Sequence, residues 1–123
     1  MFELKILTRF AAAHQLKLVA KQCENLHGHN WKIEVIIAGE KLNPAGVLID
    51  FGELKRKVEA IIDQMDHKYL NELDFLKDLA PSSENVAWYI AETLQKEFSE
   101  TDFKVSRVTA WESDDACATY IRP

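Results

Sequence analysis

The sequence predicts an α+β fold: a four-stranded antiparallel sheet with two helices on one face, in the order ββααββ. Three observations carry this. Apolar residues alternate with polar ones in two runs near the start, recur at helical spacing in two runs through the middle, and alternate again in two runs at the end. Strands placed before and after a helical pair favour an antiparallel sheet with both helices gathered on one side.

Residues 2–10 give the first strand, with Phe2, Leu4, Ile6, Thr8 and Phe10 on one face and Glu3, Lys5, Leu7 and Arg9 on the other. The second runs from His29 to Glu40, with Trp31, Ile33, Val35 and Ile37 opposite Lys32, Glu34 and Ile36. A turn-rich stretch from Gly39 to Gly46, containing Asn43-Pro44, ends it. Asp50-Phe51-Gly52-Glu53 has the spacing of a capping box, and Leu54, Val58, Ile61, Ile62 and Met65 then recur as one helical face. Pro81-Ser82-Ser83-Glu84 starts a second helix, with Val86, Ile90, Leu94 and Phe98 at intervals of four. Lys104 to Glu112 and Ala116 to Arg122 read as the last two strands, joined by Ser113-Asp114-Asp115. Such a sheet has two open edges, and edges invite pairing between subunits, so a homo-oligomer is expected.

A chain of 123 residues fits one domain, expected to span residues 1–123. Its net charge of −5 disfavours nucleic acid as a partner, while a locally positive pocket could still take a small anion. The sequence has no basic leader and no apolar stretch long enough for a membrane span. Two cysteines, Cys23 and Cys117, make no secreted disulfide framework, so a cytoplasmic protein with reduced thiols is expected.

Chemistry concentrates around four histidines. His27-Gly28-His29 places two imidazoles two residues apart, on the same side of a strand, with a thin backbone between them. His14 ends the first strand, and a hairpin would return it to the start of the second. Alone, a His-x-His on a strand is ordinarily surface or satisfied core. A third histidine one strand away turns the reading toward a catalytic zinc with an open fourth position. Cys23 could close that site as a fourth ligand, stand outside it as a base or nucleophile with a lowered pKa, or be a buried apolar cysteine, a reading that suits Cys117 better. Asp66-His67 after the first helix is either a proton relay or a solvated helix-terminal pair; direct pairing requires the helix to end there. Glu112 at a strand end is either solvated or placed to accept paired hydrogen bonds from a guanine-like edge.

Five blocks then occur in one order: Phe10-Ala-Ala-Ala-His14, Cys23-x-x-x-His27-Gly28-His29, Asp66-His67-Lys-Tyr-Leu-Asn71, Ser82-Ser83-Glu84-Asn85 and Ala110-Trp111-Glu112. With them the chain resembles, from end to end, the 6-pyruvoyl-tetrahydropterin synthase and 6-carboxy-tetrahydropterin synthase family. The resemblance implies a tunnelling fold assembled into rings, commonly a hexamer built as a dimer of trimers with active sites between subunits. It implies Zn2+ held by His14, His27 and His29, a catalytic thiolate at Cys23, and a relay of Asp66 with His67. Glu112 becomes the pterin anchor, assisted by Ser82, Ser83 and Glu84. The implied substrate is 7,8-dihydroneopterin triphosphate, whose side-chain hydroxyls zinc would acidify. The implied reaction is that of a lyase, yielding 6-carboxy-5,6,7,8-tetrahydropterin, acetaldehyde and triphosphate for queuosine and related deazapurines.

The three-residue gap between Cys23 and His27 resembles the 6-carboxy branch; the 6-pyruvoyl enzymes tend to have a longer one. Glu24, three residues before His27, adds the pattern of a folate-linked subgroup that forms 6-hydroxymethyl-7,8-dihydropterin with glutamate as acid and base. Both patterns overlap here, which implies either a bifunctional enzyme or a solvent-facing Glu24. A folate-branch enzyme and a 6-pyruvoyl-tetrahydropterin synthase are further alternatives within the family, and two non-enzyme ones stand beside them: a structural zinc protein closed by Cys23, and a pterin- or purine-binding module that uses Glu112 and Ser82–Glu84 without chemistry. Lys17, Lys21 and Arg9 lie near enough in sequence to meet the triphosphate, and nothing ranks them.

Overall fold

The computed structural model describes residues 1–17 and 25–123. Its first hairpin pairs β1 (Phe2–His14) with β2 (His27–Gly39), in a register running from Phe2 opposite Gly39 to His14 opposite His27. Directly paired residues share a face, so Ile6 and Val35, Phe10 and Trp31, Ala12 and His29, and His14 and His27 all project to one side. That side is buried: Ile6, Phe10, Ala12, His14, Trp31, Ile33, Val35 and Ile37 are all shielded from solvent. The alternation read over residues 2–10 continues unbroken through Ala11–His14, where alanines carry too little contrast to mark it.

Asp50 caps α1 (Phe51–Ile62), its Oδ2 accepting from the Glu53 amide at 3.1 Å. Leu54, Val58, Ile61 and Ile62 face the core; Met65 is fully buried too, in the turn after the helix. Ser82 caps α2 (Ser83–Lys96), accepting from the Asn85 amide at 3.2 Å, and Val86, Ile90 and Leu94 form its buried stripe. Both helices join the buried strand face in one core, α1 against β1 and α2 against the C-terminal strands β4 (Phe103–Trp111) and β5 (Cys117–Ile121). Each fully buried aliphatic or aromatic side chain there stabilises the fold by about 1.5–3 kcal/mol. Gly39 is needed where β2 ends: a Cβ there would meet the Phe103 Cβ at 2.9 Å and Leu48 at 3.0 Å.

The expected four-stranded antiparallel sheet requires correction. A fifth strand, β3 (Lys68–Tyr69), pairs parallel with Ala12–Ala13, giving a mixed sheet in the order β3-β1-β2-β4-β5. Two residues show no period, so β3 had no signal of its own; it is set by its backbone neighbours on β1. The chain order is therefore ββαβαββ, with a 3-10 turn at Leu70–Glu72 after β3. Glu112 lies just past the end of β4 rather than on it. Cys117 is exposed, not buried, because it opens β5, an edge strand whose alternate residues face water. Among the described residues no helix is long and apolar enough to cross a membrane.

Candidate metal centre and its surroundings

The β1–β2 register brings His14, His27 and His29 together at one end of the sheet, on the face that carries the helices. One ring nitrogen from each lies within 4.8 Å of the others, and the ring centroids are 4.6–5.0 Å apart. Trp31 is their floor, fully buried and edge-on to His14 and His29 at 5.2 and 5.7 Å, and itself stacked on Phe10.

Hydrogen bonding sets the tautomers. His14 Nδ1 lies 2.7 Å from the Pro81 carbonyl, and His27 Nδ1 lies 2.6 Å from the Asn25 carbonyl. A carbonyl only accepts, so both Nδ1 atoms carry the proton and both Nε2 atoms present a lone pair. Among the described residues His14 Nε2 and His29 Nε2 are buried without a hydrogen-bond partner. Burial holds His29 below its ordinary pKa against the opposing pull of Glu112, so its imidazole is disposed to be neutral. Three imidazoles with one nitrogen each converging, two of those nitrogens buried and unpartnered among the described residues, suit a borderline ion such as zinc.

Glu112 joins them. Its Oε1 is 3.6 Å from His14 Nε2, and its Oε2 is 3.8 Å from His29 Nε2. Trp111 and Glu112 project to opposite faces, Trp111 beneath the Lys32 ammonium and Glu112 toward the histidines.

Asp66 and His67 do pair. Helix α1 ends at Ile62, and His67 takes a left-handed backbone with φ of 59°, which turns its ring so that Nδ1 lies 2.9 Å from Asp66 Oδ1. The same Oδ1 accepts from the Ala11 amide at 3.0 Å, and the His67 amide donates to the Ala11 carbonyl at 2.6 Å. The Ala11 amide, followed by His67, holds the Asp66 carboxyl below its ordinary pKa. His67 and His29 both border an open cleft of about 470 Å³, with Ala11, Ala13, Gly28 and Tyr69 among its walls. Gly28 faces this cleft, not the side where the imidazoles converge; a Cβ there would touch only the Ala12 carbonyl, at 3.9 Å.

Of the α2 residues, Ser82 uses its hydroxyl as the cap, Ser83 is buried, and Glu84 is exposed and forms no salt bridge among the described residues. Their neighbour Pro81 ties this segment to His14. Cys23 and Glu24 lie outside the described residues, as does Lys21. Sequence reasoning gave no role to Pro81, Ala11 or Asn71. Asn71 accepts from the Gln15 amide at 2.9 Å and donates to the Gln15 carbonyl at 2.8 Å, clamping the residue after His14. Asn71 stood in a recognised block and could have been found; the other two act through backbone atoms, which leave no trace in side-chain identity.

Fold and site together define a class: an α+β protein with a three-histidine centre at one end of a helix-covered sheet, a carboxylate against it and an Asp–His pair at the neighbouring edge. The chain belongs to the 6-pyruvoyl tetrahydropterin synthase family, whose model matches residues 3–123. It is 35% identical over 106 residues to the dihydroneopterin monophosphate aldolase of Pyrococcus furiosus, covering 86% of this chain and 85% of that protein. It is 38% identical over 113 residues, 92% of this chain and 90% of the other, to an Archaeoglobus fulgidus protein provisionally named 6-carboxy-5,6,7,8-tetrahydropterin synthase. The structure of the Caenorhabditis elegans 6-pyruvoyl tetrahydropterin synthase superposes with a TM-score of 0.87 at 30% identity, over 99% of this chain and 96% of that one. These relatives are enzymes, synthases and an aldolase.

Proposed function

We propose that this protein is a zinc-dependent lyase that converts 7,8-dihydroneopterin triphosphate to 6-carboxy-5,6,7,8-tetrahydropterin, acetaldehyde and triphosphate. The observation that carries the reading is the convergence of three imidazole lone pairs beside a carboxylate, with a held Asp–His pair bordering the adjoining cleft. His14, His27 and His29 would hold the ion, which when bound supplies Lewis acidity to the hydroxyls of the pterin side chain. His67 carries a proton at the ring nitrogen turned away from Asp66, and Asp66, fixed by the Ala11 amide, orients the ring and stabilises its charged form. Cys23 is assigned as the second proton-transfer group on its place in the Cys23-x-x-x-His27-Gly28-His29 block. Glu112 receives the amino group and ring N–H of the pterin, with Ser82, Ser83 and Glu84 on the adjoining wall. The three-residue gap between Cys23 and His27, and the likeness to the Archaeoglobus fulgidus protein, support the 6-carboxy branch.

A second reading has its own support. The Pyrococcus furiosus relative is named an aldolase acting on dihydroneopterin monophosphate, and Glu24 supplies a carboxylate three residues before His27. A general base there would cleave the side chain to leave 6-hydroxymethyl-7,8-dihydropterin. The long outer edge of β1, covered by β3 only at Ala12–Ala13, and the outer edge of β5 favour assembly of several copies edge to edge, for which we propose a hexamer; light scattering would read its mass directly.

The deciding experiment is product analysis by mass spectrometry. Zinc-loaded wild type, Cys23→Ala and Glu24→Ala are incubated with dihydroneopterin triphosphate and, separately, the monophosphate. The expected outcome is 6-carboxy product from the triphosphate, lost in Cys23→Ala. Hydroxymethyl product that depends on Glu24 would establish the second activity. No pterin product from either substrate would sink both readings in favour of a binding or structural zinc protein.

A further inference from the structure

The gap between Glu112 and the histidines has a particular size. Neither contact is a hydrogen bond: 3.6 Å from His14 Nε2 and 3.8 Å from His29 Nε2 are too long, although both nitrogens are buried and have no other partner among the described residues. Two ligands of one tetrahedral ion explain the approach better. With metal–nitrogen and metal–oxygen bonds near 2.0–2.1 Å, ligand nitrogen and ligand oxygen stand about 3.3 Å apart. Each carboxylate oxygen faces a different histidine at a little over that separation, which is the posture of a carboxylate across a cation from two imidazoles.

We infer that Glu112 is a ligand of the ion in the substrate-free protein, closing the three-histidine centre as His3Glu. The inference deepens the proposed function and rests on its assignment of the three histidines as metal ligands. It gives Glu112 two successive tasks: to complete the coordination shell at rest, and to turn to the pterin once the side-chain hydroxyls have taken its place. The carboxylate is suited to both because it is held at a strand end, partly open to solvent, and not locked into a hydrogen bond among the described residues. It also neutralises one of the two charges of a divalent ion beside the fully buried His14, lowering the cost of placing the cation there.

The test uses cobalt(II), whose visible absorption is strong in four-coordinate sites and weak in six-coordinate ones, with purified full-length protein and no pterin. Wild type, Glu112→Ala, Glu112→Gln and His29→Ala are titrated with cobalt and then challenged with a chelator. If Glu112 is a ligand, both Glu112 variants show a shifted or weakened band and hold cobalt at least about 10-fold less tightly, while His29→Ala loses the site. The same band and affinity in wild type and both Glu112 variants would overturn the inference and leave the three-histidine reading standing. A wild type that takes up no cobalt would overturn the metal reading itself, and this inference with it.

Discussion

His14 shows how one side chain serves structure and site at once. One nitrogen is tied to Pro81, ahead of α2, and the other belongs to the three-imidazole group that could hold a metal ion. Removing the ring should therefore cost more than the site. With chelator present, His14→Ala is expected to lose about 2 kcal/mol or more of stability in urea unfolding, from the cavity and the orphaned carbonyl. His27→Ala, at a half-exposed residue bonded among the described residues only to the nearby Asn25 carbonyl, should stay within about 0.5 kcal/mol of wild type. Both should lose metal, and equal stability losses would contradict the dual role. His67 makes the converse case. Its left-handed backbone costs a β-carbon-bearing residue about 1 kcal/mol, a cost that glycine does not bear. Consequently His67→Gly should melt at or above the wild-type temperature while turnover falls about 10²–10⁴-fold; a large drop in melting temperature would mean that the ring is structural. Spacing made the histidines legible because strand periodicity converts sequence separation into direction. The Pro81 and Ala11 contacts were not legible, since any residue could supply the same backbone carbonyl or amide.

At the scale of elements, the two helix starts offer a matched comparison. Asp50 and Ser82 each satisfy one amide of the first turn, and each should cost about 1 kcal/mol when replaced by alanine. They differ in what lies beside them. Ser82 follows Pro81, whose carbonyl fixes the His14 tautomer, whereas Asp50 caps a helix with no such bond to the histidines. Fraying α2 at its start should loosen His14, so Ser82→Ala is expected to lower metal affinity measurably in chelator competition and Asp50→Ala to leave it unchanged. An equal effect of the two caps on affinity would mean that the Pro81 contact does not transmit order to the centre. Both caps were readable because an oxygen side chain ahead of an apolar helical period has a local meaning. β3 was not, for a strand of two residues is defined by what it pairs with. Cys117 was misread as buried for a related reason: membership of a strand is visible in sequence, but whether that strand lies at an edge is a property of the sheet.

For the whole molecule, the hairpin pairings β1–β2 and β4–β5 follow from adjacency in sequence, while the join between them, β2 against β4, spans both helices. That join, and with it the arrival of Glu112 beside His14 and His29, is a tertiary fact that no local pattern encodes. The C-terminal strand is secured to α2 by a polar clamp: Glu92 accepts from the Tyr120 hydroxyl at 3.0 Å and from Arg122 Nε at 2.7 Å. Hydrogen bonding from Arg122, followed by that from Tyr120, outweighs burial and holds Glu92 below its ordinary pKa of 4.5. A carboxyl whose pKa is lower folded than unfolded contributes stability that is present above the unfolded value and lost as pH falls through the folded one. Glu92→Gln keeps one acceptor but loses the charge, so at neutral pH it should be less stable by about 1 kcal/mol. The deficit should shrink as the pH drops below about 4.5, because wild type then gives up what the variant never had. Every group other than residue 92 is the same in both proteins, so the difference between their urea-unfolding curves, taken with chelator from about pH 7 to about pH 3, isolates the clamp. A deficit that stays constant across that range would show that Glu92 acts by shape and hydrogen bonding alone, with no contribution from its charge.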